Sequence, residues 1–209
     1  VTTIFLDMEF GALPGAFFIN HNLPKPMKSN INFLLITFIL FTLISCKQEP
    51  KDNTPWVNLF DRETLNGWTQ LGGEATYTVK DNAIVGTTVH NTPNSFMTTD
   101  KMYGDFILEL DYKVDPSMNS GIQIRSNSLP HYMYGRVHGY QIEIDPSERA
   151  WSAGIYDEAR RGWMNPMTEN PEAQKAFKQN EWNHYRIEAI GDTLKTWIND
   201  VPAAYLIDD

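Results

Sequence analysis

Residues 137–163 read VHGYQIEIDPSERAWSAGIYDEARRGW, and the run YQIEID at 140–145 decides the fold. Polar and apolar residues alternate there with period two, the repeat of a β-strand. Tyr140, Ile142 and Ile144 point to one side; Gln141, Glu143 and Asp145 point to the other. An apolar strand face packs on a second layer. The opposite face then sets an amide and two carboxylates in a row, and a function has to account for them.

Working outward, other runs repeat the pattern. GDFILELDYKV (104–114) sets Phe106, Leu108, Leu110 and Tyr112 against Ile107, Glu109, Asp111 and Lys113. TYTVKDNAIVG (76–86) reads as two strands about an Asp81-Asn82 turn. NSGIQIRS (119–126) puts Ile122 and Ile124 on one face, Gln123 and Arg125 on the other. EWNHYRIEAIGDTLKTWINDVPAAYL (181–206) reads as two strands joined at Gly191-Asp192, then a turn and a third strand. The good helix signal is NPEAQKAFKQN (170–180), with Asn170 as N-cap and Pro171 at the first position. Many short strands with frequent turns predict an all-β sandwich or jelly roll of antiparallel sheets with one short helix. If the strands carrying Gln123 and Gln141 are neighbours, then Gln123, Arg125, Gln141, Glu143 and Asp145 form the floor of one groove.

The chain has 209 residues, 42% hydrophobic and 12% aromatic, enough for one packed domain with extras. A net charge of -9 argues against nucleic acid, whose binding needs a basic footprint. The single cysteine, Cys46, excludes an intrachain disulfide. Its setting is informative. Lys28 follows Met27, an apolar run extends from Ile31 to Ile44, and Ser45 precedes Cys46. A charged start, a short apolar stretch and a small residue before the cut describe a secretory signal. The run is roughly 14 residues, short of the about 20 that span a bilayer. Leu43-Ile44-Ser45-Cys46 resembles a bacterial lipobox, which predicts a signal over 27–45 and a lipid on Cys46. A periplasmic or surface-anchored lipoprotein is then expected, held to the membrane through that lipid. Residues 1–26 show no clear period and are expected to be an upstream extension before a start at Met27. Residues 46–55 read as a polar tether, and 56–209 as the folded domain.

NSGIQIRS, GYQIEIDPSERAWSAGIYDEARRGW and EWNHYRIEAIGDTLKTWINDVPAAYL, with VNLFDRETLNGW at 57–68, resemble in order the 3-keto-disaccharide hydrolase domain. The likeness runs from about Trp56 to Asp209. It implies a concanavalin-like jelly roll and action on glycosides oxidised at C3, or on related saccharides. It also implies a sugar 3-dehydrogenase acting upstream. Two departures stand out. Many relatives carry glutamate where this chain has Gln141 and glutamine where it has Glu143. Relatives also continue with further strands, so the domain is expected to be C-terminally incomplete at Leu206-Ile207-Asp208-Asp209.

A ketone at C3 acidifies the C2 proton, so the chemistry needs a base, a group to hold the enolate, and an acid or metal near the leaving oxygen. Glu143 is the candidate base. Arg125 is placed to hold the oxyanion, and His138 to act as acid or base near neutral pH. His138 and Glu143 are also the candidate ligands for a divalent cation, a weak signal from spacing alone. Gln141, Asp145 and Gln123 are candidate substrate contacts. Trp151, Tyr156, Trp163 and Trp182 are candidate stacking rings, with Trp182 read as core. Arg160 and Arg161 either grip substrate hydroxyls or pair with Asp157 and Glu158 in their own loop. His184 and Arg186 share an outward face, and His131 lies in a polar aromatic loop.

Two rivals remain: a lectin-like module of the same fold, and a retaining laminarinase-type glycosidase using the carboxylates of EIDPSE (143–148). The second needs its acting carboxyls about 5–5.5 Å apart. Pro146 interrupts the ladder and puts Glu148 past the strand end.

Overall fold

The computed structural model describes residues 3–12, as backbone, and 56–209. The predicted signal over 27–45, Cys46 and the tether over 46–55 lie outside the described residues. In chain order the strands begin with β1 (Thr3–Ala12), β2 (Trp56–Asn58), β3 (Trp68–Gly72), β4 (Thr76–Lys80) and β5 (Ala83–Thr87). Next come β6 (Ser95–Thr99), β7 (Phe106–Val114), β8 (Ser120–Ser128), β9 (Val137–Ile144) and β10 (Ile155–Glu158). The last are β11 (Gly162–Asn165), β12 (Asn183–Ile190), β13 (Thr193–Ile198) and β14 (Val201–Ile207). The predicted helix is present as α1 (Pro171–Ala176), and the Asn170 side chain accepts the Ala173 N–H at its start.

Among the described residues all the strand pairings are antiparallel. An eight-stranded sheet runs β14–β13–β12–β7–β1–β5–β4, with β2 added beside β1. A four-stranded sheet runs β11–β10–β9–β8, and β3 pairs with β6 in a separate ribbon. Period-two alternation is why these segments are strands. Leu108, Leu110, Tyr112, Tyr185 and Ile187 of the large sheet share one core with Ile124, Ile142, Ile144 and Ile155 of the small one. Asp81 and Asn82 both adopt positive φ, 52° and 61°, as a two-residue hairpin turn demands. The result is the all-β antiparallel sandwich that the alternation predicts.

Residues 1–26 were read as having no period, yet part of them is a strand. β1 lies between β5 and β7, with Ile4 opposite Val114 and Ala12 opposite Phe106. It covers the part of the segment where Ile4, Leu6, Met8 and Phe10 alternate with Phe5, Asp7 and Glu9.

β9 holds a second difference. Ile142 and Ile144 face the core, fully buried, as alternation requires. Glu143 and Asp145 were expected to line an open polar face, but each is only 3% exposed. The chain after Pro146 folds back and covers them. Glu143 N–H donates to Gly154 O at 2.9 Å, and Ala153 N–H donates to Glu143 O at 2.9 Å. The Tyr185 hydroxyl reaches across the core from β12 and donates to the same Glu143 carbonyl at 2.6 Å. The Ser152 hydroxyl accepts the Asp145 N–H at 2.9 Å.

Candidate active site

Register builds one row across the small sheet: Gln123 lies opposite Gln141, Gln141 opposite Tyr156, and Tyr156 opposite Trp163. In the next row Gly121 lies opposite Glu143. A Cβ on Gly121 would sit 2.5 Å from Gln141 Cγ, so a glycine is needed for Gln141 to lie across β8.

Both Glu143 oxygens are held. Asn119 Nδ2 donates to Oε1 at 2.5 Å, and Gln141 Nε2 donates to Oε2 at 2.8 Å. Gln141 Oε1 in turn accepts from Gln123 Nε2 at 2.8 Å. Arg149 Nη2 stands 3.5 Å from Glu143 Oε1, while its Nε donates to Asp145 Oδ2 at 2.7 Å. One guanidinium therefore serves both carboxylates. It also lies over the rings of Trp151 and Trp163, at 4.6 and 5.1 Å from their centres. Trp163 meets Trp151 edge-on at 4.7 Å and Tyr156 at 5.1 Å. The Arg149 side chain stays 41% exposed, so solvent reaches the guanidinium while Glu143 beneath it is covered.

These surroundings split the two carboxyls. Burial raises the Glu143 pKa above the ordinary glutamate value, outweighing the bonds from Gln141 and Asn119 and the charge of Arg149. Burial acts the same way on Asp145, but bonds from Ser147, Arg149 and Trp151 together outweigh it and lower that pKa. The site thus holds one carboxyl disposed to take a proton beside one held as the anion. Each Glu143 oxygen accepts a hydrogen bond from one amide, Asn119 or Gln141, which leaves lone-pair capacity for a substrate proton.

Several expectations are corrected here. Arg125 does not join the groove. A bulge between Ile124 and Asn127 breaks the alternation, and Arg125 sits there at φ 47°. Its guanidinium donates instead to Gly191 O at 2.6 Å and to Asp105 Oδ1 at 2.9 Å. Arg149 takes the expected place of Arg125; it was missed because parity arguments stop at Pro146, where the strand ends. His138 does not meet Glu143 either. Five residues of strand span about 16 Å, and His138 Nδ1 lies 2.9 Å from Arg136 O, with its ring on Tyr132 at 4.1 Å. One cation cannot be shared by His138 and Glu143, and no group of three or more metal-ligating side chains gathers among the described residues.

Arg160 and Arg161 pair within their own loop. Both donate to the buried Asp157, at 2.6 and 2.5 Å, and Arg161 also grips Asp208. His184 and Arg186 lie on the large sheet, against Asp111 and Glu109. Trp182, read as core, is 46% exposed. Glu148 is exposed in the turn beyond β9, as Pro146 suggested. Gln123, Gln141, Glu143, Asp145, Trp151 and Tyr156 do converge, joined by Asn119, Arg149 and Trp163.

The family model for the 3-keto-alpha-glucoside-1,2-lyase-like domain matches residues 55–209, most of the chain. The chain belongs to this family. A search of curated proteins found no match. Membership in the 3-keto-alpha-glucoside-1,2-lyase-like family supports a carbohydrate-active role, and it agrees with the resemblance carried by the strands around Gln123, Glu143 and Tyr185. In this member of the family the carboxylate of the β9 pair stands at 143 and the amide at 141.

Proposed function

We propose that the domain cleaves glycosides carrying a ketone at C3. Glu143 removes the C2 proton, and the C2–H electron pair moves into the enolate, with its negative charge on the C3 oxygen. Arg149 faces that charge, where a preorganised cation counts most. The enolate then re-forms the ketone, a C1–C2 double bond appears, and the C1–O bond breaks. The leaving alkoxide takes a proton, so the sum of these steps is an elimination. Water added across C1–C2 completes a net hydrolysis. Trp151, Trp163 and Tyr156 offer ring faces and edges for the sugar.

The observation that carries this reading is Glu143: a covered carboxyl with a raised pKa, held by two amides and beside a half-exposed guanidinium. The family match supports it at the level of saccharide chemistry. The proposal extends to location. A lipid on Cys46 tethers the enzyme outside the cytoplasm, where a C3-oxidising dehydrogenase supplies the keto sugar; this places the mature N-terminus at Cys46, so the processed enzyme does without β1, and Lys28, the Ile31–Ile44 run and Ser45 support this part.

The test is incubation with a 3-keto-glucoside and, in parallel, the unoxidised glucoside. Release of the aglycone from the keto sugar alone is expected. Cleavage of the unoxidised sugar alone points to an ordinary glycosidase, and binding without turnover of either points to a lectin. Glu143→Gln retaining full activity removes Glu143 as the base. Cys46→Ser is expected to abolish incorporation of labelled palmitate in cells.

A further inference from the structure

Glu143 sits at the end of a line of side chains. Ser126 Oγ lies 2.7 Å from Gln123 Oε1, and 3.0 Å from Ile124 O as its other acceptor. Gln123 Nε2 donates to Gln141 Oε1, and Gln141 Nε2 donates to Glu143 Oε2, both at 2.8 Å. An amide has one acceptor end and one donor end, and a half-turn exchanges them. Gln141 can therefore show Glu143 either an NH2 group, which stabilises the carboxylate, or an oxygen, which repels it. Gln123 presents its NH2 to Gln141 and its oxygen to Ser126, whose single hydroxyl proton is shared between that oxygen and Ile124 O.

We infer that Gln123 is a positioning residue, which fixes the orientation of the Gln141 amide so that its NH2 faces Glu143. This rests on Glu143 being the base proposed above. The line is built into neighbouring strands, with Gln123 and Gln141 in register, and Gly121 leaves the space that Gln141 crosses. The other groups facing Glu143 come from elsewhere. Arg149 and Asp145 lie on the segment that follows, Asn119 precedes β8, and Tyr185 of β12 reaches only the backbone carbonyl. None of them has a bond to the Gln141 amide, whose two partners are Glu143 at its NH2 and Gln123 at its oxygen; Glu143 can accept or, once protonated, donate, so the constant donor is Gln123.

Gln123→Glu replaces the NH2 donor by acceptors. Gln141 then turns its NH2 toward residue 123 and its oxygen toward Glu143. Loss of a donor to a covered carboxylate raises its titration by roughly one unit or more. A new charge at 123 could raise it too, through space. A double-mutant cycle separates the two. In the Gln141→Met background there is no amide to turn, so Gln123→Glu should move Glu143 far less. The readout is carboxyl 13C NMR of Glu143 in the free full-length protein, titrated from acid to neutral pH. Ser126→Ala, a milder change, should raise the same titration by a smaller amount, and it serves if Gln123→Glu does not fold.

No shift in either variant overturns the inference. An equal shift from Gln123→Glu with and without Gln141 also overturns it and leaves a plain charge effect. Because no substrate is involved, a failure here is distinct from failure of the keto-glycoside reaction. If both hold, the acid limb of the kcat/KM profile moves upward with the NMR titration.

Discussion

Burial pushes the Glu143 carboxyl up from the reference value of 4.5, against the pull of Gln141, Asn119 and Arg149. Such a group holds a proton in the folded chain after the unfolded chain has released its own. Stability is therefore lost as pH rises from about 4.5 through the folded value. Asp145, with a lowered pKa, runs the other way. Its contribution is present above 3.8 and is lost as pH falls through the folded value. Glu143→Gln should remove the first drift and Asp145→Asn the second, in urea unfolding followed across both windows. The same Glu143→Gln change should cost kcat about 10²–10⁴, the usual worth of a general base. Arg149→Lys tests the guanidinium. An ammonium cannot bridge Glu143 and Asp145 while lying flat on two indoles. Activity on the keto sugar should fall about 10²-fold or more, as for loss of an oxyanion-holding group, and an unchanged kcat/KM would mean that another group meets the enolate.

At the scale of elements, the alternation in 76–86, 104–114, 140–145 and 181–206 was enough to read strands, turns and the core face. The cap at Asn170 was equally local, and it was readable for that reason. What escaped was each place where the chain leaves a period. The β8 bulge turns Arg125 away from the groove, and nothing in NSGIQIRS marks it. The return after Pro146 brings Arg149 over Glu143 through tertiary bonds from Tyr185, Ala153 and Ser152, which come from a distant strand or a loop without period. Four of the five amide and carboxylate residues at the site (Gln123, Gln141, Glu143 and Asp145) were therefore legible, whereas Asn119 and the cation beside them were not. Arg125→Ala puts this to use. Its bonds to Asp105 and Gly191 are exposed, and a surface pair is worth at most about 1 kcal/mol. The variant should melt slightly earlier and keep kcat/KM within about threefold, the opposite of what a groove residue would do.

Across the whole molecule, the two sheets are joined by their core and also by an ionic clasp at one margin. Arg161, at the β10–β11 turn of the small sheet, presents both terminal nitrogens to the two oxygens of Asp208, just past β14 of the large one, at 2.9 and 2.6 Å. Tyr140 of β9 donates its hydroxyl to the same carboxylate, and Asp157 holds the Arg161 Nε from within. The bonds from Arg161 and Tyr140 lower the Asp208 pKa to about 2. An acid depressed in this way stabilises the fold above its unfolded value of 3.8, and that contribution fades as pH falls toward about 2. Because the clasp is near the surface, its worth is at most about 1 kcal/mol and is reduced by salt. Asp208→Asn should thus lower the melting temperature at neutral pH and low salt, less at high salt, and hardly at all near pH 2. Arg161→Ala removes the same grip and also leaves the buried Asp157 with Arg160 alone, so it should destabilise more than Asp208→Asn at neutral pH. Since this clasp is tied up with Asp157 and Asp208, neither variant should raise KM for the keto sugar, whereas Arg149→Lys should change turnover with a smaller effect on melting. Melting curves and steady-state kinetics on the three proteins, taken together, separate the arginine that holds the sheets from the arginine that meets the substrate. A raised KM in Arg161→Ala with an unchanged melting temperature would reverse the assignment.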